Sequence, residues 1–416
     1  MNDLFEKCRL FEDAKRVMAA GVYPFFRPIE ATEGSAVVTH GKRRVMIGSN
    51  NYLGLTHHPR VREAAKRAID KLGTGCTGSR FLNGNLALHE EIEEKLAKYL
   101  GKKSCLVFST GFLSNQGALS CLVGKNDVIY SDRENHASII EGARMARGET
   151  LKFRHNDMNE LERIVSQSRA RYEGALIVAD GVFSMSGHIF NLPGAVEIAK
   201  KYKCRIYIDD AHALGVLGPK GQGTEFHHGL SGGADIVMGT FSKSFASIGG
   251  YVAGDDDVIH YIKHTARTFI FSAAMPPAAA ATVLECLKIV EEEPEHLQKL
   301  WKNTQKMQRA LNEMGYNTLG SKTPIIPLLV GDDMMAFAFA QKLYELGVFA
   351  TPVVKPAVPE GCALIRTSYM ASHDDKDLDC ALSALDKLGH QFGILGNPER
   401  QKKLAVLAEE HFGKSG

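Results

Sequence analysis

Several things are missing from this chain, and each absence narrows the field. No apolar run approaches the roughly 18 residues of a membrane-spanning helix, and the longest, around Met275–Leu284, contains two prolines. The N-terminus carries charges throughout and lacks the apolar core of a signal peptide. No Lys/Arg-rich stripe is present, and a formal net charge of +2 over mixed-sign segments gives no support for nucleic-acid binding. The eight cysteines, at 8, 76, 105, 121, 204, 286, 362 and 380, form no C-x-x-C and have no histidines at zinc spacing. They read as reduced, mostly buried thiols of a cytoplasmic protein. No internal repeat and no low-complexity tract interrupts the 416 residues, of which 44% are apolar and 24% charged, the balance of a globular protein. That length exceeds one ordinary core, so two or three domains are expected.

The chain starts with a charged arm that includes Gly21-Val-Tyr-Pro-Phe-Phe-Arg-Pro28, extended by its prolines and requiring a surface to pack on. A β segment, Ala36–Ile47, turns at His40-Gly41, and Val61, Ala64, Ala65, Ala68 and Leu72 form the apolar stripe of a helix over Pro59–Leu72. From Leu88 onward strands and helices alternate. The expected strands are Ser104–Phe108, Asp127–Tyr130, Leu151–Phe153, Ala175–Ala179, Arg205–Ile208, Asp235–Gly239, Gly250–Ala253 and Thr268–Ser272. Such alternation implies an α/β domain with a mostly parallel central sheet covered on both faces. Beyond Pro276-Pro277 the pattern changes to a long helical stretch, 278–314, interrupted near Glu293-Pro294. Strands at Ile325–Val330, Val348–Thr351 and Leu364–Thr367 then alternate with helices at 336–346 and 375–392, which reads as a smaller C-terminal α+β domain. The expected partition is an N-terminal arm and β segment (1–48), a large domain (49–290), a small domain (291–396) and a charged, peripheral helical tail (397–416).

Gly73-Thr-Gly-Cys-Thr-Gly78 matches the dinucleotide pattern G-x-G-x-x-G letter for letter. It follows a helix rather than a strand, so it reads as a flexible loop lining a cleft and not as a dinucleotide fingerprint.

The motifs of chemical interest fall just after the strands, where ligands bind in open α/β sheets. Lys243, in Gly239-Thr-Phe-Ser-Lys-Ser-Phe-Ala-Ser-Ile-Gly-Gly250, lies among hydroxyls and small residues with no acidic neighbour nearby. Desolvation there favours the neutral amine, the form that makes imines; taken alone, a structural lysine in a Gly/Ser turn fits equally. Asp209 and His212, in Asp209-Asp-Ala-His212, suit a pyridinium nitrogen and a phenolic oxygen, or else cap the next turn. His136 can stack on a ring or serve as a helix cap. Gly111 and Phe112 open a helix whose N–H groups favour an anion, with Thr240 and Ser272 adding hydroxyls. Arg366, after two apolar residues, offers a planar fork for a carboxylate. A lysine, a carboxylate, a flat stacking group, phosphate donors and a substrate-binding cation together are what pyridoxal 5'-phosphate requires of a protein.

The chain resembles the α-oxoamine synthases, a fold-type-I pyridoxal-phosphate family, over about residues 20–395. The stretches that carry the resemblance are Asn50-Asn-Tyr-Leu-Gly-Leu55, Ser109-Thr-Gly-Phe112, Asn135-His-Ala-Ser138, Asp180-Gly-Val-Phe-Ser-Met185, Asp209-Asp-Ala-His212, Gly239-Thr-Phe-Ser-Lys243 and Leu364-Ile-Arg366. The family condenses an amino acid with an acyl-CoA, releasing CO2 and CoA. The resemblance implies that Lys243 carries the cofactor as an imine and takes the Cα proton, and that Asp209 pairs with the ring nitrogen. It further implies His212 at the phenolic oxygen with Ser184 near it, and His136 on the ring face. Gly111, Phe112 and Thr240 would hold the phosphate, and Ser272 would reach it from the second subunit of a homodimer. Asn50, or the adjacent Asn51, and Arg366 would address the substrate carboxylate.

Within the family, Gly78–Gly84, Phe271–Pro277 and Pro352–Pro359 look most like soluble bacterial members that join L-serine to palmitoyl-CoA, giving 3-oxosphinganine for sphingolipids. Asp180–Gly187 and His155-Asn-Asp157 also fit members that acetylate glycine. The arginine that some of the serine-using members carry near the Pro-Ala-Val-Pro loop is not carried over here, where Lys355 is the neighbouring cation. An aminotransferase and a non-catalytic subunit of the same fold are the other readings; retention of Lys243, Asp209 and His212 together favours the catalytic one. With no spanning helix, only peripheral membrane contact is expected.

Overall fold

The computed structural model describes residues 3–413. Its centre is a seven-stranded sheet in the order Ser104–Phe108, Gly250–Gly254, Ile236–Thr240, Arg205–Asp209, Ala175–Asp180, Val128–Asp132, Glu149–Phe153. All neighbours pair in parallel except Gly250–Gly254, which is antiparallel to both of its own. Six strands therefore end at one edge of the sheet, where Gly250 begins the seventh. Apart from Arg205 the middle strands are buried, which is why Ala175-Leu-Ile-Val-Ala179 and Ile206-Tyr-Ile208 are continuously apolar rather than alternating. Helices cover both faces. On one, Ala118, Leu119 and Ile139 pack on Leu106, Ile129 and Val178; on the other, Leu161, Val165, Leu192 and Ala195 join Tyr130, Ile177 and Ile208.

Helix Pro59–Leu72 has the expected bounds and packs its alanines, Ala64 and Ala68, on Ala281 of helix Pro277–Glu292. Segment 73–78 follows that helix and opens no other, as its rejection as a dinucleotide motif requires. The long helical stretch is two helices, Pro277–Glu292 and Glu295–Met314, broken at Glu293-Pro294. The smaller sheet is antiparallel, with Ala363–Ser368 between Ile325–Gly331 and Thr351–Val353. The tail helix, Pro398–Phe412, buries Leu404 and Phe412 against this part of the chain.

Two expected strands come out differently. Thr268–Ser272 is not a strand: Arg267–Ile270 is a single helical turn followed by irregular chain. Its β-prone composition yields to tertiary contacts, because Phe269 is buried edge-on to Phe108 and the Thr268 hydroxyl donates to the Leu113 carbonyl. Val348–Thr351 splits at Ala350 into Val348–Phe349 and Thr351–Val353. The first half pairs in parallel with Lys42–Met46 of the N-terminal β segment, and the second joins the antiparallel sheet.

The Pro/aromatic arm lies on helix Asp333–Glu345: Phe25 meets Phe337 edge-on and the Arg27 guanidinium sits 3.7 Å over the Tyr344 ring. All eight cysteines are free, and Cys105, Cys204, Cys286 and Cys362 are buried. Among the described residues no helix is long and apolar enough to cross a membrane.

Candidate active site

The strand ends gather nearly every residue singled out in the sequence. Lys243 lies in the connection between antiparallel strands Ile236–Thr240 and Gly250–Gly254. That connection is closed by Phe241 N–H to the Gly249 carbonyl (3.0 Å) and Ser247 N–H to the Phe241 carbonyl (3.0 Å). The lysine is half-buried. Burial pushes its amine down to about 8, against the opposing fields of Asp209 and Asp180 and with help from Arg366.

Asp209 ends its strand 2% exposed, and a carboxylate so placed needs donors. The Ala211 N–H supplies one at 2.9 Å and the Asn115 side chain another at 2.6 Å. Asn115 Nδ2 also donates to the Ser138 hydroxyl (2.8 Å), and Asn115 Oδ1 accepts from the buried Tyr207 hydroxyl (2.8 Å). With its oxygen occupied by Asn115, the Ser138 hydroxyl turns its proton to His136 Nδ1 at 2.8 Å. The Ser138 N–H donates to the same nitrogen. The neutral His136 ring therefore carries its proton on Nε2. Burial, followed by the opposed fields of Asp209 and Lys243, keeps His136 below the usual histidine range, so it stays uncharged at neutral pH. The ring is tethered at one nitrogen yet remains accessible, which leaves a face free to stack.

A second hydrogen-bonded chain runs beside the first. His212 Nδ1 meets the Tyr52 hydroxyl at 2.7 Å, and Tyr52 donates to Asn50 Oδ1 at 3.3 Å. Arg366 Nη2 donates to the same oxygen at 2.9 Å while its Nε donates to the Ser184 carbonyl at 2.7 Å. Arg366 is 7% exposed, in the central strand of the antiparallel sheet, and so is no surface arginine. The same guanidinium also interacts with the Tyr52 hydroxyl. Burial, and then the charges of Lys243 and Arg366, push His212 well below its ordinary value, so it too is neutral. Asn51 points elsewhere, donating to the Thr56 hydroxyl, which favours Asn50 of the two adjacent amides.

The anion cradle is built by close approach. Helix Gly111–Leu122 is capped by the Thr110 side chain, which accepts from the Leu113 N–H, so the N–H groups of Gly111 and Phe112 are left for a ligand. A Cβ on Gly111 would lie 2.8 Å from Thr240 Cβ, and one on Gly250 would lie 2.6 Å from Gly111 Cα. Only glycines let the helix start sit on the strand ends with the Thr240 hydroxyl beside it. Phe112 lies edge-on to His136, ring centres 6.5 Å apart. A buried hydrogen-bonded carboxylate, an open neutral imidazole face, a half-buried amine and a helix start with free N–H groups fit the nitrogen, ring, aldehyde and phosphate of pyridoxal phosphate.

Ser272 is the exception, since no hydrogen bond joins it to this cluster among the described residues. It sits in the irregular segment before Ala273, which bridges Ser79. Sequence reading missed Tyr52, Asn115, Ser138 and Asp180. Tyr52 stands inside the quoted Asn50–Leu55 stretch, and Asn115 lies one helical turn beyond Gly111. Their spacing was the available signal, but nothing local says what they touch. Asp180 accepts from the His136 N–H at 2.8 Å, and burial together with Asp209 raises it well above the carboxylate range.

Comparison with known proteins shows the family and the fold. The family model for aminotransferase class I and II matches residues 43–385. The chain is 53% identical over 390 residues to a serine palmitoyltransferase of Bacteriovorax stolpii, covering 94% of this chain and 93% of that protein. It is 42% identical over 384 residues to an 8-amino-7-oxononanoate synthase of Thermoanaerobacter pseudethanolicus, covering 92% and 97%. Among solved structures, the Sphingomonas wittichii serine palmitoyltransferase superposes with a TM-score of 0.91 at 32% identity, covering 95% of this chain and 100% of that one. The chain thus belongs to the aminotransferase class I and II family and has the fold of the fold-type-I pyridoxal-phosphate transferases.

Proposed function

We propose that the protein is a pyridoxal-phosphate-dependent acyltransferase that condenses L-serine with palmitoyl-CoA, releasing CO2 and CoA and forming 3-oxosphinganine. The observation that carries the reading is the 53% identity, over nearly the full length of both chains, to a serine palmitoyltransferase. When bound, pyridoxal phosphate supplies an electron sink for negative charge at the amino acid's Cα.

The chain's own residues supply the rest. Asp209, bonded by Asn115 and the Ala211 N–H, would face the ring nitrogen and pair with its proton. His136 covers one ring face as a neutral group, and His212, braced by Tyr52, faces the phenolic oxygen. Gly111 and Phe112 N–H groups and the Thr240 hydroxyl bind the phosphate. Arg366, oriented by the Ser184 carbonyl and by Asn50, offers its guanidinium to the amino-acid carboxylate. Lys243, its amine near 8, would hold the cofactor and, when free, could carry the Cα proton.

The same reading takes the working form as a cytoplasmic homodimer in which Ser272 reaches the other subunit's phosphate. Supporting it, Phe271 next to Ser272 and Phe81 and Leu82 on the segment bridging to Ala273 are all exposed in the single chain.

The relatives named 8-amino-7-oxononanoate synthase favour a second reading. That product's skeleton is an alanine that has lost its carboxyl, joined to a seven-carbon diacid, so the alternative differs in both substrates. Purified protein is given L-serine, L-alanine or glycine, each with palmitoyl-, pimeloyl- or acetyl-CoA, and thiol release is measured. Release with serine and palmitoyl-CoA alone supports the proposal. Release with alanine and pimeloyl-CoA, or with glycine and acetyl-CoA, replaces it.

A further inference from the structure

Away from the strand ends, three potential ligands meet where the long helical stretch breaks. His58 precedes helix Pro59–Leu72, Glu293 lies at the break and His296 is in the first turn of the next helix. One ligand atom from each lies within 4.8 Å of the other two. His58 Nε2 is 3.4 Å from Glu293 Oε2, and His296 Nε2 is 3.3 Å from the same oxygen. With metal–ligand bonds of about 2.0–2.1 Å, a tetrahedral ion separates its ligands by about 3.4 Å, so two of the three edges already have the required length. The third edge, between the two imidazoles, is no longer than 4.8 Å and has to shorten when an ion binds.

The surroundings suit a cation. Glu293 Oε1 is held by Arg60 Nη1 at 2.7 Å, which turns Oε2 to the two imidazoles as an outer partner turns a metal-binding carboxylate. The same guanidinium binds Glu285 and Glu292, so three carboxylates converge on it, with Lys288, 3.9 Å from Glu285, as further compensation. All three candidate ligands are partly buried, with side chains 18–24% exposed, so an ion can enter and leave.

We propose that His58, Glu293 and His296 bind a divalent ion of the zinc type, with water in the fourth position. Two imidazoles and one carboxylate are the ligands of borderline ions rather than of calcium or magnesium. His58 Nδ1 is buried with no partner, whereas permanent sites hold that N–H, so the ion is exchangeable rather than a folding requirement. Binding staples the chain just after Asn50–Tyr52, which carries two residues of the candidate active site, to the break between the two long helices.

The test uses cofactor-loaded protein freed of adventitious metal by a chelator and titrated with Zn2+ alone, and separately with Co2+, whose visible absorption reports tetrahedral coordination. One Zn2+ per chain is expected at this site, with a higher melting temperature. His58→Ala and His296→Ala should each weaken that binding by at least about 100-fold and abolish the cobalt band and the melting shift. Without metal, His296→Ala should melt and turn over as the parent does, which separates ligand loss from misfolding. The His260–His264 pair, ring centres 4.3 Å apart on another helix, is the competing surface site. If His264→Ala removes the binding, or if His296→Ala leaves Kd and cobalt spectrum unchanged, the three residues are a hydrogen-bonded group only and the proposal fails.

Discussion

In the protein without cofactor, the Lys243 amine should titrate with a midpoint near 8, because burial opposes its charge. A solvated lysine titrates near 10.5, so at pH 7 about one in three thousand is neutral. With a midpoint of 8 the fraction is about one in ten, a gain of about 300-fold in the imine-forming species. The assay is trace reductive methylation across pH 6–11 (about the span of interest), with Lys243 read by peptide mass spectrometry. The midpoint is what matters, since partial burial lowers the amplitude at every pH equally. Two substitutions should move it in opposite directions. Asp209→Asn removes the largest opposing field and lowers the midpoint, whereas Arg366→Gln removes a cation and raises it. Stability follows with a defined sign: between about 8 and 10.5 the unfolded chain binds more protons at this residue, so the cofactor-free protein gains stability from it as pH rises through that window. A midpoint near 10 in the parent, or shifts of the reverse sign in the variants, would refute the assignment of Lys243 as the desolvated amine.

Asn115→Leu takes the donor from Asp209 and strands the Tyr207 hydroxyl, and a lost hydrogen bond to a charged group is about 1.5–3 kcal/mol. Pyridoxal phosphate should bind about 10- to 150-fold more weakly, measured by equilibrium dialysis. Arg366→Gln should reduce kcat/KM for the amino acid by a similar factor, chiefly through KM, while cofactor affinity stays within about twofold. Steady-state kinetics with a spectral cofactor titration checks both. Gly250→Ala drives a methyl group into the backbone of Gly111, lifting the helix start from Thr240. It should lower stability by about 1–3 kcal/mol in denaturant melts and weaken binding of pyridoxal phosphate more than of its unphosphorylated analogue.

What the linear chain determined by itself was the alternation of buried strands and covering helices, and with it the positions of the chemical groups. Helix Pro59–Leu72 and strand Ser104–Phe108 could be read to the residue. Their apolar periodicity, proline start and flanking turns are local properties. Lys243, Asp209, His212 and His136 were legible for the same reason, since each follows a recognisable strand and such ends converge in an open α/β sheet. Only the tertiary structure decided which groups hold these in place. Tyr52 meets His212 across 160 positions of chain, Asn50 meets Arg366 across 316, and Asn115 meets Asp209 across 94. It likewise decided that Gly250–Gly254 runs against its neighbours, that 268–270 coils instead of extending, and that Val348–Thr351 serves two sheets. Those outcomes rest on what each segment is buried against, and a residue's neighbours in space are set by the packing of the whole chain rather than by its neighbours in sequence.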